Sequence, residues 1–215
     1  HTWNDEDGPE AALDALLSAA DAQNARQIVL DETMRADFAG LVQDTLLQAG
    51  RQFTATTVGA LRMRKDQQEY ETLKRNALVA DAAMRAAWDQ MAAGMTETEV
   101  ATLVRDSFRE QGATPMFSIV GAGPNGAFPH HQTGDTVIKP GDAVVMDIGG
   151  GMAGYSSDMT RMAVVGKPPE GYAEVHAIVE RAVQAALAVA KPGIKAHEVD
   201  DAARGVITDA GYGDF

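Results

Sequence analysis

From Glu69 onward, apolar residues recur at intervals of three and four: Tyr70, Leu73, Ala77, Ala80, Met84, Trp88 and Met91. At 3.6 residues per turn such positions gather on one face, so the spacing predicts a long amphipathic helix. Gly94 stops it, and Thr96 with Glu99 makes a capping-box pair that opens a second helix. That helix turns Val100, Leu103, Val104 and Phe108 inward and ends at Gly112. Upstream, residues 1–62 form a separate stretch. It has a Pro9-led helix through Leu17, a short apolar run at Ile28–Leu30, an amphipathic segment from Phe38 to Ala49 and a Thr-rich, strand-like piece from Phe53 to Val58. It reads as the remainder of an α/β unit. Downstream, Ala143–Ile148 and Thr160–Val165 read as strands, with Gly149, Gly150, Gly151 and Gly154 favouring a tight reversal between them.

A shift of 99 residues carries Gly94 onto Gly193, Met95 onto Ile194, Glu99 onto Glu198, Val100 onto Val199, Phe108 onto Ile207 and Gly112 onto Gly211. The long helix has a counterpart too, from Glu170 to Ala190, with Val175, Ile178, Val179, Ala182, Val183 and Leu187 on one face. This frame points to an internal duplication, with chance recurrence of a common helix pair as the alternative. The first copy runs on into strands between Pro115 and Val165, whereas the second reaches Phe215 where its strands should begin. A half-domain without its sheet leaves apolar helix faces uncovered. The expectation is therefore a segment of a longer protein, and the absence of a methionine at His1 makes the start read as trimmed.

Composition narrows the function. The chain has 215 residues, 45% apolar and 23% charged, which is ordinary for a globular protein. A formal charge of −13 argues against nucleic-acid or anionic-membrane surfaces and is compatible with divalent cations. Zero cysteines exclude disulfides, zinc thiolates and thiol nucleophiles, and fit a reducing compartment such as the cytoplasm.

Asp147 and Asp158 flank the glycine-rich centre, eleven residues apart. With Met152-Ala153 as the turn, Gly151 faces Gly154 and the two aspartates fall directly opposite each other. Paired carboxylates at roughly 4.5–5.5 Å repel, and a bound cation would neutralise both. The alternatives are aspartates solvated or accepting a backbone hydrogen bond, and a two-residue slip that makes the pair diagonal. Gly121, Gly123 and Gly126 have the G-x-G-x-x-G spacing, but Pro129 and two histidines follow with no helical period. The dinucleotide reading thus lacks its helix, and the glycines read as a sharp turn beside a site. His130 and His131 adjoin this turn, and strand alternation would point only one of them inward. Glu97, Glu99, Asp200 and Asp201 read as solvated helix faces, and Ser156-Ser157 lacks a nucleophile elbow.

Phe128-Pro-His-His131, Gly141-Asp142, Asp147-Ile-Gly and Gly154-Tyr-Ser-Ser-Asp-Met-Thr-Arg161 together resemble the pita-bread metallopeptidases. They look most like the Xaa-Pro aminopeptidase and Xaa-Pro dipeptidase (prolidase) branch, whose steps from the histidine to the first aspartate and on to the second match His130, Asp147 and Asp158. The resemblance implies an α+β pita-bread fold of duplicated αβ halves, the second incomplete here. Residues 63–215 would be the N-terminal part of the catalytic domain and residues 1–62 the remainder of a smaller α/β domain. It also implies two divalent cations, manganese by expectation with cobalt or zinc as alternatives. Asp147 would chelate one metal and Asp158 bridge both, with His130 contacting the substrate and Tyr155 and Thr160 supporting the ligands. The remaining histidine and two glutamates would lie beyond Phe215. The implied activity is hydrolysis of the N-terminal Xaa-Pro bond by an aminopeptidase, with a dipeptidase as the alternative. The implied partners are a peptide with proline at its second position and a second copy in a homodimer, with no nucleic acid or membrane. Two further relatives of this fold are a metal-free creatine hydrolase and a non-catalytic peptide-binding module, and both retained aspartates argue against them. Residues 1–215 alone are expected to bind metal weakly and to be inactive.

Overall fold

A computed structural model describes residues 2–215, and the chain divides into two units, His1–Tyr70 and Glu71–Phe215. In the first, helices α1 (Glu10–Ala19) and α2 (Ala36–Thr45) alternate with strands β1 (Gln27–Leu30) and β2 (Gly50–Phe53). The strands pair in parallel from Gln27↔Gly50 to Leu30↔Phe53, with α2 as the crossover. The strand-like piece expected from Phe53 to Val58 is corrected. Strand β2 ends at Phe53, and a 3-10 turn (Thr54–Thr56) and the short helix α3 (Val58–Arg62) follow. Local hydrogen bonds explain the break. Glu32 accepts from the Thr54 hydroxyl and from the Ala55 N–H (2.6 Å), and the Thr56 and Thr57 hydroxyls donate back to Phe53 O. Such short-range bonds offer threonines an alternative to a strand ladder.

The second unit contains most of α4 (Gln67–Gln90), then α5 (Glu97–Glu110), β3 (Thr114–Ala122), β4 (Ala143–Met152), β5 (Tyr155–Ser156), β6 (Met159–Val164), α6 (Tyr172–Val189) and α7 (Ala196–Asp209). β4 is central, antiparallel to β3 on one edge and to β6 on the other. One sheet face, with Val120, Val144, Met146 and Ile148, joins α4 and α5 in a single buried cluster. The inward stripe of α4 is Asn76, Val79, Ala80, Ala83, Met84 and Ala87. Tyr70 and Trp88, expected on it, are 52% and 41% exposed. The alanines set the stripe, and a methyl group leaves a weak mark on a hydropathy pattern.

The duplication is visible in the backbone. Helices α5 and α7 have 14 residues each and start at Glu97 and Ala196, the same 99-residue shift. Both end in a Schellman motif: Gly112 and Gly211 have φ of 76° and 87°. Ala113 and Tyr212 donate to Phe108 O and Ile207 O at 2.9 and 3.1 Å. Between α6 and α7, Ile178 and Ala182 are buried, while Val175, Val179, Val183 and Leu187 of α6 are exposed. Among the described residues no helix is long and apolar enough to cross a membrane.

Two buried features depart from expectation. Gly149, Gly150 and Gly151 lie inside β4, not in the turn. A Cβ on Gly149 would come within 2.2 Å of the Phe117 ring, and one on Gly150 within 2.5 Å of the Phe108 ring. The strand is glycine-rich because two aromatic rings lie across it. The second feature is Glu97, which is fully buried rather than a solvated helix residue. Its Oε1 accepts from Ala122 N–H (2.9 Å) and Asn125 Nδ2 (2.8 Å). Its Oε2 accepts from His131 Nε2 (2.8 Å) and Gly134 N–H (3.1 Å). Burial pushes the carboxyl pKa up, and the four hydrogen bonds outweigh it, holding the group below its ordinary 4.5.

Gly150→Ala is expected to cost about 1–3 kcal/mol through overpacking against Phe108. Gly205→Ala, in open space within α7, should instead stabilise by roughly 0.5–1 kcal/mol. Paired thermal melts read both signs. A depressed carboxyl pKa contributes stability that is present above 4.5 and lost as pH falls through the folded value. The stability gap between the parent and Glu97→Gln should therefore shrink below that pH in melts taken across the acid range.

Candidate functional site

Side chains alternate across a strand, so the residues of β4 that face away from the helices are Val145, Asp147 and Gly149. The site is built on this open face. Its register is set by the turn at Ala153-Gly154, where both residues have positive φ (54° and 80°). That is the type I′ geometry, which suits the twist of a two-residue hairpin. Met152 then pairs with Tyr155, Ile148 with Met159 and Asp147 with Thr160. The head-on pairing of Asp147 with Asp158 is thereby corrected. The turn lies one residue later than expected, because type I′ requires two left-handed residues in succession and Gly154 supplies one of them.

Asp158 keeps to the same face, one pair away along the strand. Ser157 N–H donates to Gly150 O at 2.8 Å, which sets Asp158 opposite Gly149, two residues from Asp147. Diagonal neighbours stand roughly 7–8 Å apart. Repulsion is weaker there than in a direct pair, and both carboxylates still point to one side. Asp147 is half-buried and Asp158 exposed. The Thr160 hydroxyl donates to Asp147 Oδ1 at 2.8 Å, so Thr160 orients the first aspartate. Tyr155 is not brought to this group: opposite Met152 it shares the face of Ser157 and Met159, away from both aspartates.

His130 lies in a turn, not on a strand. After β3 a 3-10 helix (Gly123–Ala127) opens at the second glycine of the G-x-G-x-x-G spacing. No α-helix starts at Gly126, so no helix N-terminus is presented to a pyrophosphate. A Cβ on Gly126 would lie 3.6 Å from Val145 Cγ1. The segment leading to His130 thus rests on the open face beside the pleat that carries Asp147. His130 is exposed, whereas His131 turns inward with a side chain 14% exposed and meets Glu97. An ionised carboxylate can only accept, so His131 Nε2 carries the shared proton.

Glu97 is the residue that motif reading passed over. Its signal was periodicity: it sits one turn ahead of Ala101 and two ahead of Val104 on the buried stripe of α5. Among the described residues no group of three or more His, Asp or Glu is arranged to hold a metal ion. The donor set on the open face is two carboxylates, with one oxygen held by a hydroxyl. Carboxylate oxygens of this kind are the hard donors that divalent cations such as manganese prefer.

The profile of metallopeptidase family M24 matches residues 71–215, starting where the second structural unit starts. The chain is 40% identical over 157 residues to an Xaa-Pro dipeptidase of Pyrococcus furiosus, across 72% of this chain and 45% of that protein. It is 32% identical over 218 residues to the probable dipeptidase PepE of Mycobacterium tuberculosis, across 99% of this chain and 56% of the relative. Among solved structures, a prolidase from Thermococcus sibiricus superposes with a TM-score of 0.87 at 31% identity, covering 100% of this chain and 59% of that one. An X-Pro aminopeptidase from Thermotoga maritima gives 0.86 at 30% identity, covering 96% and 58%. The chain spans about half the length of the curated relatives it matches. With the α+β pita-bread fold of these structures, the chain belongs to the metallopeptidase family M24.

Proposed function

We propose that this chain supplies part of a metal-dependent peptidase that hydrolyses Xaa-Pro bonds, of the dipeptidase (prolidase) type. The observation that carries the reading is the likeness to Xaa-Pro dipeptidases at up to 40% identity over 157 residues. The run of curated relatives named Xaa-Pro dipeptidase favours a dipeptidase over the aminopeptidase first expected. Residues 63–215 serve as part of the catalytic domain and residues 1–62 as part of a smaller N-terminal domain. The working form is a homodimer in the cytoplasm.

In this reading Asp147 and Asp158 hold divalent cations, and the Thr160 hydroxyl, donating to Oδ1, orients the Asp147 carboxylate. Carboxylate oxygens are hard donors, which favours manganese over cobalt or zinc. Cations held by these carboxylates would supply the chemistry of lowering the pKa of water and polarising a carbonyl. His130, exposed beside that face, is free to hydrogen-bond the substrate.

With manganese added, the full-length protein should hydrolyse Xaa-Pro dipeptides. Hydrolysis of longer Xaa-Pro peptides alone would assign the aminopeptidase activity instead, and turnover of neither would overturn the reading. Asp147→Asn or Asp158→Asn should abolish turnover. Thr160→Val, which removes only the orienting hydroxyl, should weaken manganese binding roughly 10–100-fold by titration calorimetry. Purified residues 1–215 should bind manganese weakly and turn over no Xaa-Pro peptide.

A further inference from the structure

The His130 side chain makes no hydrogen bond among the described residues, although the backbone around it is closely held. Phe128 N–H donates to Asn125 O (3.2 Å) and His131 N–H to Phe128 O (3.1 Å), which sets the turn itself. Both ends of that turn then converge on one carboxylate. Asn125, five residues before His130, gives its side-chain amide to Glu97 Oε1. His131 and Gly134, just after it, give Nε2 and N–H to Glu97 Oε2. Ala122, the last residue of β3, adds a fourth donor. A single buried anion thus closes the 125–134 segment into a ring with His130 at its outer edge. We propose that Glu97 is a positioning residue for His130, acting through Asn125, His131 and Gly134. The proposal rests on the reading that His130 meets the substrate.

The alternative is that Glu97 only supports the start of α5. The internal repeat argues against it. In α7 the matching position is Ala196, and that helix has the same 14 residues and the same C-terminal motif. Both helices also keep the acidic partner three residues past the N-cap, with Glu99 accepting from Thr96 N–H (2.7 Å) and Glu198 from Lys195 N–H (2.9 Å). The helical frame therefore forms without a carboxylate at its first residue. Burial strengthens the effect, because charge-assisted hydrogen bonds gain in a low-dielectric interior and leaving four donors unmet there is costly.

The test uses the full-length protein with 13C-labelled histidine, the His130 signal being assigned by its loss in His130→Gln. In Glu97→Gln the His130 Cε1–Hε1 resonance should split or move toward the position of an unstructured histidine at temperatures where the variant remains folded. In Thr96→Ala, which removes the helix cap and leaves the carboxylate, it should stay in place. Turnover of Xaa-Pro dipeptides should fall roughly 10–100-fold in Glu97→Gln, chiefly in kcat, with partial rescue by Glu97→Asp. If Glu97→Gln does not fold, Asn125→Ala removes one anchor only and should broaden the same resonance. An unchanged His130 resonance in Glu97→Gln, or in Asn125→Ala if that variant stands in, overturns the proposal. A parent protein that hydrolyses no Xaa-Pro peptide would sink the functional reading, and the resonance would still decide the positioning role.

Discussion

The two-residue turn at Ala153-Gly154 governs which chemistry this unit can display. A β-hairpin has no freedom to place its side chains one by one. Once the turn is set, every residue of β4 and β6 is assigned a face and a partner together. A shift of one residue would send Asp147 into the hydrocarbon cluster and Met146 into water. A shift of two would keep the faces and bring the aspartates head-on. The observed register avoids both, giving Asp147 a hydroxyl neighbour in Thr160 and leaving Asp158 a diagonal step away. Ala153 adopts a left-handed φ of 54° to make this possible, a conformation that residues with a Cβ resist.

The sheet separates packing from chemistry. On one side Met146, Ile148 and their neighbours join α4 and α5 in an apolar cluster from which water is excluded. Asp147 and Thr160 lie on the other side, beside apolar neighbours that include Ile119, Val145 and Met162. Glu97 is the exception, a charge carried on the buried stripe of α5. It is tolerated because donors from β3, from the 3-10 helix and from the loop around Gly134 surround it, and buried charges persist only when so satisfied. That network crosses from the helix layer to the histidine turn.

The parts legible in the sequence were those with a strong local rule. The capping box at Thr96 and Glu99 is present, and the 99-residue shift matches α5 with α7 residue for residue because a Schellman glycine leaves no freedom in helix length. Strands β4 and β6 were readable from their β-branched, apolar cores. The misreadings share a cause as well. Glycines 149 to 151 looked like turn residues because local rules know nothing of Phe108 and Phe117 arriving from distant segments. Glu97 looked solvated because its partners lie 25 to 37 residues away. The aromatics Tyr70 and Trp88 drew the stripe of α4 toward themselves, while the alanines beside them did the packing.

The diagonal placement of the two aspartates bears on how folding and ligand uptake are linked. Head-on carboxylates would make the hairpin depend on a counter-ion to close, so that much of the binding energy would be consumed in folding. Stepped apart by two residues, with one oxygen of Asp147 held by Thr160, they let the strands pair unaided. A cation held by them, as proposed, would meet two carboxylates already placed by the sheet. The sheet that holds the core would then stand with or without that ion.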